Sequence, residues 1–174
     1  MKLSPAVERY VLHWGEMGTR WGTNRTVAQI QALLYLAPRA LRADEIVDLL
    51  SVARSNVSTS IRELQSYGLV KMTHTLGDRR DYFESPHDVW ELFRIIIEQR
   101  KQRELNPTLT MLRACAKDVQ SEADTDPLTK ERIANMLTFV ESTSDWYETI
   151  RDVPTPILKK LMKLGAGITK FVSK

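Results

Sequence analysis

The chain has 174 residues, 43% hydrophobic and 27% charged, with a formal net charge of +3 and a pI near 9.0. Such a balance supports an apolar core and argues against disorder, and its mild excess of base permits a polyanionic partner without demanding one. No apolar run approaches the roughly 18 residues that span a bilayer, the charged first ten residues do not read as a secretory signal, and the lone Cys115 leaves no internal disulfide. A cytoplasmic protein without stable membrane association is expected.

Val7, Tyr10, Val11, Trp14, Met17 and Trp21 recur at helical intervals, which predicts a first helix over residues 5–21, weakened in its second half by Gly15, Gly18 and Gly22. A second helix is expected from Arg25 to Ala37, with Val27, Ile30, Leu33 and Leu34 on one side and Pro38 as its stop. A short third helix carries Ile46, Leu49 and Leu50 inward. Ser51 and Val52 then lead tightly into a fourth, Arg54 to Tyr67, with Val57, Ile61 and Leu64 as its buried stripe and Gly68 as a left-handed stop.

Two extended pieces, LVKMT and DYFES, flank HTLGDRR, where Gly77-Asp78 suits a turn, so a hairpin is expected. Tyr82 and Phe83 point to opposite faces of its second strand, one of them anchoring the hairpin to the core. Pro86 and Asp88 open a long helix to about Glu104, apolar on more than one face at LFRIII and so expected to be covered from two sides. Asn106-Pro107 is expected to start a separate helix. After an acidic loop, Asp126 and Pro127 start another that turns Leu128, Ile133, Met136, Leu137, Val140, Tyr147 and Ile150 to one side. Beyond Pro154 and Pro156 lies a lysine-rich amphipathic tail, interrupted by Gly165 and Gly167, whose Ile157, Leu161, Ile168 and Phe171 suit burial against a partner subunit more than a membrane surface. The fold expected is mainly α with a small β-wing.

Helix, helix, helix, hairpin over residues 25–85 describes a helix-turn-helix followed by a wing. Away from its apolar stripe the fourth helix offers Arg54, Ser55, Asn56, Ser58, Thr59 and Arg62, side chains that match base edges and phosphates in a major groove. The plainer reading makes the Ser and Asn ordinary helix-start residues on a solvated face. The hairpin favours double-stranded DNA as partner, because Arg79 or Arg80 at its tip can enter the adjacent minor groove. The other arginine would pair with Asp78 or Asp81 and stiffen the loop. The three histidines, His13, His74 and His87, have no metal-ligand spacing, and neither a Gly-rich phosphate loop nor a nucleophile beside a base is present. No enzyme, metal or cofactor is expected.

The combination of LSVARSNVSTSIRELQSYGLV and LGDRRDYF resembles the winged helix-turn-helix of the MarR superfamily of transcriptional regulators. WGEMGTRWGTNRTVAQIQALLYL resembles its GbsR-like branch, whose better-known members repress genes of choline and glycine-betaine uptake or synthesis. The likeness covers roughly residues 10–118 and departs at the wing, which reads GDRRDYF rather than D-x-R-D-x-R. It implies a homodimer on a pseudo-palindromic operator. Residues 1–24 would form a dimerising helix, residues 25–86 the DNA-binding domain, and residues 87–174 a helical dimerisation and effector region. The branch also implies a quaternary ammonium effector held by an aromatic box, with Trp14 and Trp21 best spaced for it. Core and dimer packing is the commoner use of aromatics at such spacing, and a small buried hydrophobe is the default for Cys115. The alternative function is an architectural or protein-interaction module without preference between DNA sequences.

Overall fold

Ser4 opens the first helix: its hydroxyl accepts from the Val7 N–H at 3.4 Å, and Pro5 fills a first-turn position where no N–H is needed. The computed structural model describes residues 3–172, with side chains as far as residue 165. In it this helix, α1, spans Pro5–Arg20. Its packing face is not the large apolar stripe. Val11, Gly15 and Gly18 are buried, whereas Trp14 and Trp21 remain 39% and 56% exposed. A Cβ on Gly18 would lie 2.4 Å from the Ala28 Cβ, and one on Gly15 2.6 Å from the Gln29 Cγ, both on α2 (Arg25–Leu36). The glycines expected to weaken α1 therefore let its backbone close on α2.

Asn24 caps α2 by accepting from the Thr26 N–H at 2.8 Å. Val27, Ile30, Leu33 and Leu34 fill the centre of the core, and the chain turns extended at Ala37 before Pro38. At the start of α3 (Ala43–Leu50), Glu45 accepts from the Arg42 N–H at 3.0 Å and also holds the Arg39 guanidinium. Ser51, at φ 52°, reverses the chain in the left-handed region, and α4 (Arg54–Ser66) packs Val57, Ile61 and Leu64 into the core together with Ser60, a small polar residue that the apolar pattern does not reveal. Gly68, at φ 73°, closes α4 as expected.

Strands β1 (Lys71–Thr73) and β2 (Tyr82–Glu84) pair antiparallel, with Met72 opposite Phe83 and Thr73 opposite Tyr82. Phe83 is the anchor: it is buried, and its backbone exchanges two hydrogen bonds with Leu41, of 2.9 and 2.8 Å. Just beyond, the Gln31 amide donates to the Ser85 Oγ at 2.8 Å, tying the wing's exit to α2. Asp88 caps α5 (Val89–Arg100) through the Trp90 N–H at 2.7 Å. Leu92 and Ile95 join the core, while Phe93 and Ile96 stay exposed, so within the chain this helix is covered on one flank.

The chain divides into two compact units, the first ending at Ile96 and the second beginning at Ile97, inside α5. The expected helix start at Asn106-Pro107 is corrected: a π turn, Lys101–Leu105, carries α5 without a break into α6 (Asn106–Ser121). The wider turn takes up the missing N–H of Pro107 and the crowding of its ring. Asp126 caps α7 (Pro127–Arg151) through the Thr129 N–H at 3.1 Å, and Leu137 and Val140 pack on Leu105, Leu109 and Leu112. Leu128 and Met136, expected on that inner side, are exposed, because the inner face of α7 is set by Leu137, Val140, Ser144 and Tyr147. Glu98 accepts from the Tyr147 hydroxyl at 2.8 Å, and Lys101 meets Glu148 at 2.6 Å; burial, then the Glu98 carboxylate, pushes the Tyr147 pKa up to about 12. Helix α8 (Thr155–Val172) runs through Gly165 and Gly167 rather than stopping there. Glycine lowers helix propensity by about 1 kcal/mol without forbidding helical dihedrals. The side chains of Ile168 and Phe171 lie outside the described residues. Among the described residues no helix is long and apolar enough to cross a membrane.

Two stability predictions follow from this packing. Gly18→Ala forces α1 off Ala28 and is expected to destabilise the first unit by about 1–3 kcal/mol in urea unfolding, with no loss if the helices can part freely. Arg39 first, then the Arg42 N–H, holds the Glu45 carboxyl at about 2 against an ordinary 4.5. Because the folded pKa is depressed, this stabilisation is present above pH 4.5 and lost as pH falls toward 2. The stability gap between the wild type and Glu45→Gln should therefore shrink between pH 7 and pH 3; a constant gap would count against the ion pair.

Candidate nucleic-acid interface

Helix α4 begins without a side-chain cap. Ala53 occupies the cap position, so none of the nearby serines or the asparagine satisfies the first-turn N–H groups. Ser55, Asn56, Ser58 and Thr59 are exposed and have no side-chain hydrogen bond among the described residues. The helix-start reading of these residues is thereby weakened: the face displays donors and acceptors that the fold itself leaves unused. Uncapped N–H groups at a helix N-terminus also attract a phosphate.

The two arginines of α4 are placed differently. Arg54, at its first position, pairs with Asp44 of α3 across the turn. This pair links the two helices of the motif at an exposed site, where such contacts add little stability. Arg62, two turns along, is exposed, with its Nε 3.4 Å from the Ser58 carbonyl. Below them Val57, Ile61 and Leu64 hold the helix on the core, which fixes the rotation of the polar face.

The wing tip separates Arg79 from Arg80. The Asp78 carboxylate accepts from the Arg80 Nε at 2.8 and 2.9 Å, from the Arg80 N–H at 3.0 Å and from the Tyr82 hydroxyl at 2.8 Å. Arg80, then Tyr82, holds the Asp78 carboxyl far below its ordinary range, and Asp78 in turn raises Arg80. Asp81 faces His74 across the hairpin at 3.3 Å. Gly77, at φ 84°, makes the turn that brings Asp78 onto this cluster. Arg79 is exposed and has no hydrogen-bond or ion-pair partner among the described residues. The tip is thus a small ionic knot with one guanidinium projecting from it.

The aromatic candidates stand apart from these elements. Trp14 and Trp21 meet edge to face with ring centroids 6.4 Å apart, and Tyr10 leans on Trp14 at 5.8 Å. The two indoles are packed on each other rather than parted around a ligand. Cys115 is half-buried on α6, with its Sγ 3.5 Å from the Met111 Sδ. What the sequence reading missed in the interface is the Tyr82–Asp78–Arg80 contact; the i, i+2, i+4 spacing of these residues in a turn was its only signal.

Comparison with known proteins points to the same stretch. A family model described as MarR family matches residues 21–81. The HTH-type transcriptional repressor GbsR of Bacillus subtilis (strain 168) is 22% identical over 134 residues, covering 75% of this chain and 74% of its own. A solved structure of a transcriptional regulator superimposes with a TM-score of 0.65 over 84% of this chain and 96% of its own, at 17% identity, a likeness of fold. The transcriptional regulator Tm0710 from Thermotoga maritima, at a TM-score of 0.39, 20% identity and coverage of 83% and 90%, is too loosely similar to bear on it. The matched segment holds α2, α3, the uncapped α4 and the arginine-tipped wing, and the chain accordingly carries the winged helix-turn-helix of a MarR-type regulator.

Proposed function

We propose that this DNA-binding regulator is a repressor that acts as a homodimer on a pseudo-palindromic operator, with α4 in the major groove and the wing at the adjacent minor groove. The observation that carries the reading is the division of labour at the wing tip: Asp78, Arg80 and Asp81 are engaged within the hairpin, and Arg79 is not. A narrow minor groove concentrates negative potential and favours an inserted arginine. The rigid knot beneath Arg79 holds it in place before binding, so less side-chain entropy is lost on docking. On α4, Ser55, Asn56, Ser58, Thr59 and Arg62 are the groups that reach bases or phosphates, with Arg54 positioned by Asp44 at the helix start.

Repression rests on the likeness to a relative named as a repressor, and the simplest mechanism is steric. Two recognition helices of a symmetric dimer reach half-sites about one helical turn apart. An effector would bias one of two dimer geometries and so change that spacing. A quaternary ammonium effector at Trp14 and Trp21 would have to separate two touching rings, so its binding would alter tryptophan fluorescence.

Titration of duplex DNA at several salt concentrations tests the reading. Arg79→Ala should weaken binding by about 1–3 kcal/mol and lower the salt slope by about one. Arg80→Ala should weaken it less, because that guanidinium is already engaged by Asp78; the reverse order would refute the assignment. Arg62→Ala should cost about 1–3 kcal/mol if it reads a base, and relax preference at one operator position. Equal affinity for the protein's own promoter region and for scrambled duplex would favour the architectural alternative.

A further inference from the structure

The second unit leaves two apolar faces uncovered, and their spacings match. On α7, Met136, Phe139, Thr143, Trp146 and Ile150 recur at intervals of three and four residues. They lie beside the face that packs on α6, and Met136, Phe139 and Trp146 are 53–67% exposed. On α8, Ile157, Leu161 and Leu164 keep the same rhythm, which the sequence continues at Ile168 and Phe171. The first three are 48–60% exposed. A seam repeating every 3.5 residues is the pattern by which two helices lie side by side with interlocking side chains.

Charge divides along the same line. All 22 acids lie before residue 153, together with 20 of the 25 lysines and arginines, so the body is net acidic and the five remaining lysines all belong to the tail. Helix α7 itself carries Glu131, Glu141, Asp145 and Glu148 against three bases. A lysine-only helix is therefore complementary to the helix whose stripe it matches.

We infer that α8 is an arm that lies on the exposed α7 stripe of a second copy of this chain, each copy covering the other. The inference rests on the homodimer reading above and adds its surfaces. Only residues 152–154 link α7 to α8, which would suit a hairpin within one chain, yet both faces stand open. An anionic lipid surface would suit the lysines and the apolar side of α8 but would leave the α7 stripe bare. A second copy accounts for both faces through one reciprocal contact.

Disulfide trapping tests this in the full chain with Cys115→Ser, pairing Leu161→Cys in turn with Met136→Cys, Phe139→Cys and Trp146→Cys. At least one pair should give a covalent dimer on a non-reducing gel, with peptide mapping placing the bond between position 161 and α7. A bond within a single chain, or none in any pair while light scattering still reports a dimer, overturns the arm and leaves the dimer reading intact. A monomeric wild type at micromolar concentration removes both. Leu161→Asp with Leu164→Asp should raise the dimer dissociation constant by about 100-fold, the scale of losing two buried leucines. An unchanged dimer whose binding to phosphatidylglycerol vesicles alone is abolished would assign α8 to the lipid instead.

Discussion

The backbone pairing of Leu41 with Phe83 governs everything that the first unit presents outward. Leu41 lies in the link between α2 and α3, and Phe83 lies in the second strand of the wing, so two main-chain hydrogen bonds and one buried ring join the hairpin to the motif that carries α4. Without this junction a two-stranded hairpin would be marginal in water, and the position of its tip relative to α4 would be undefined. The Gln31–Ser85 hydrogen bond secures the next residues of the exit strand to α2. Wing, α2 and α4 thus share one core, and the two candidate DNA-contacting elements inherit a fixed separation from it.

On that frame the polar chemistry is arranged by local competition for partners. Asp78 engages Arg80 and Tyr82, Asp44 engages Arg54, and Glu45 engages Arg39 and Arg42. None of these exposed or half-exposed pairs contributes much to stability singly. Their effect is orientational. They use up the charges that could neutralise one another and leave Arg79, Arg62 and the short polar side chains of α4 facing solvent. A net charge of only +3 is consistent with this economy: binding to a polyanion would depend on where a few cations stand rather than on their number.

The second unit follows a different logic. Its helices are long, its inner core of Leu109, Leu112 and Val140 is small, and large apolar side chains lie open on α7 and α8. A helix with two apolar stripes has one more face than its own unit can cover. The π turn at Lys101–Leu105 belongs to the same picture, since it lets a proline-containing sequence continue as one helix from the boundary into α6.

Helical and extended periodicity, caps and stops were legible in the chain itself: Asn24, Asp88 and Asp126 open helices, Gly68 closes α4, and the alternation at Tyr82-Phe83 shows that one ring turns inward. These features act over four or five residues, so sequence spacing carries them. The wing arginines, the role of the α1 glycines and the continuity through Pro107 were not legible. Arg79 and Arg80 are equivalent as letters, and only the folded turn decides which one Asp78 can reach. Gly15 and Gly18 read as helix weaknesses until a second helix stands 2.4 Å from where a Cβ would be. Composition and period determine which segments form and which faces are apolar. Which neighbour covers a face, and which charge is left without a partner, depends on distances between residues far apart in the chain, and those exist only once it has folded.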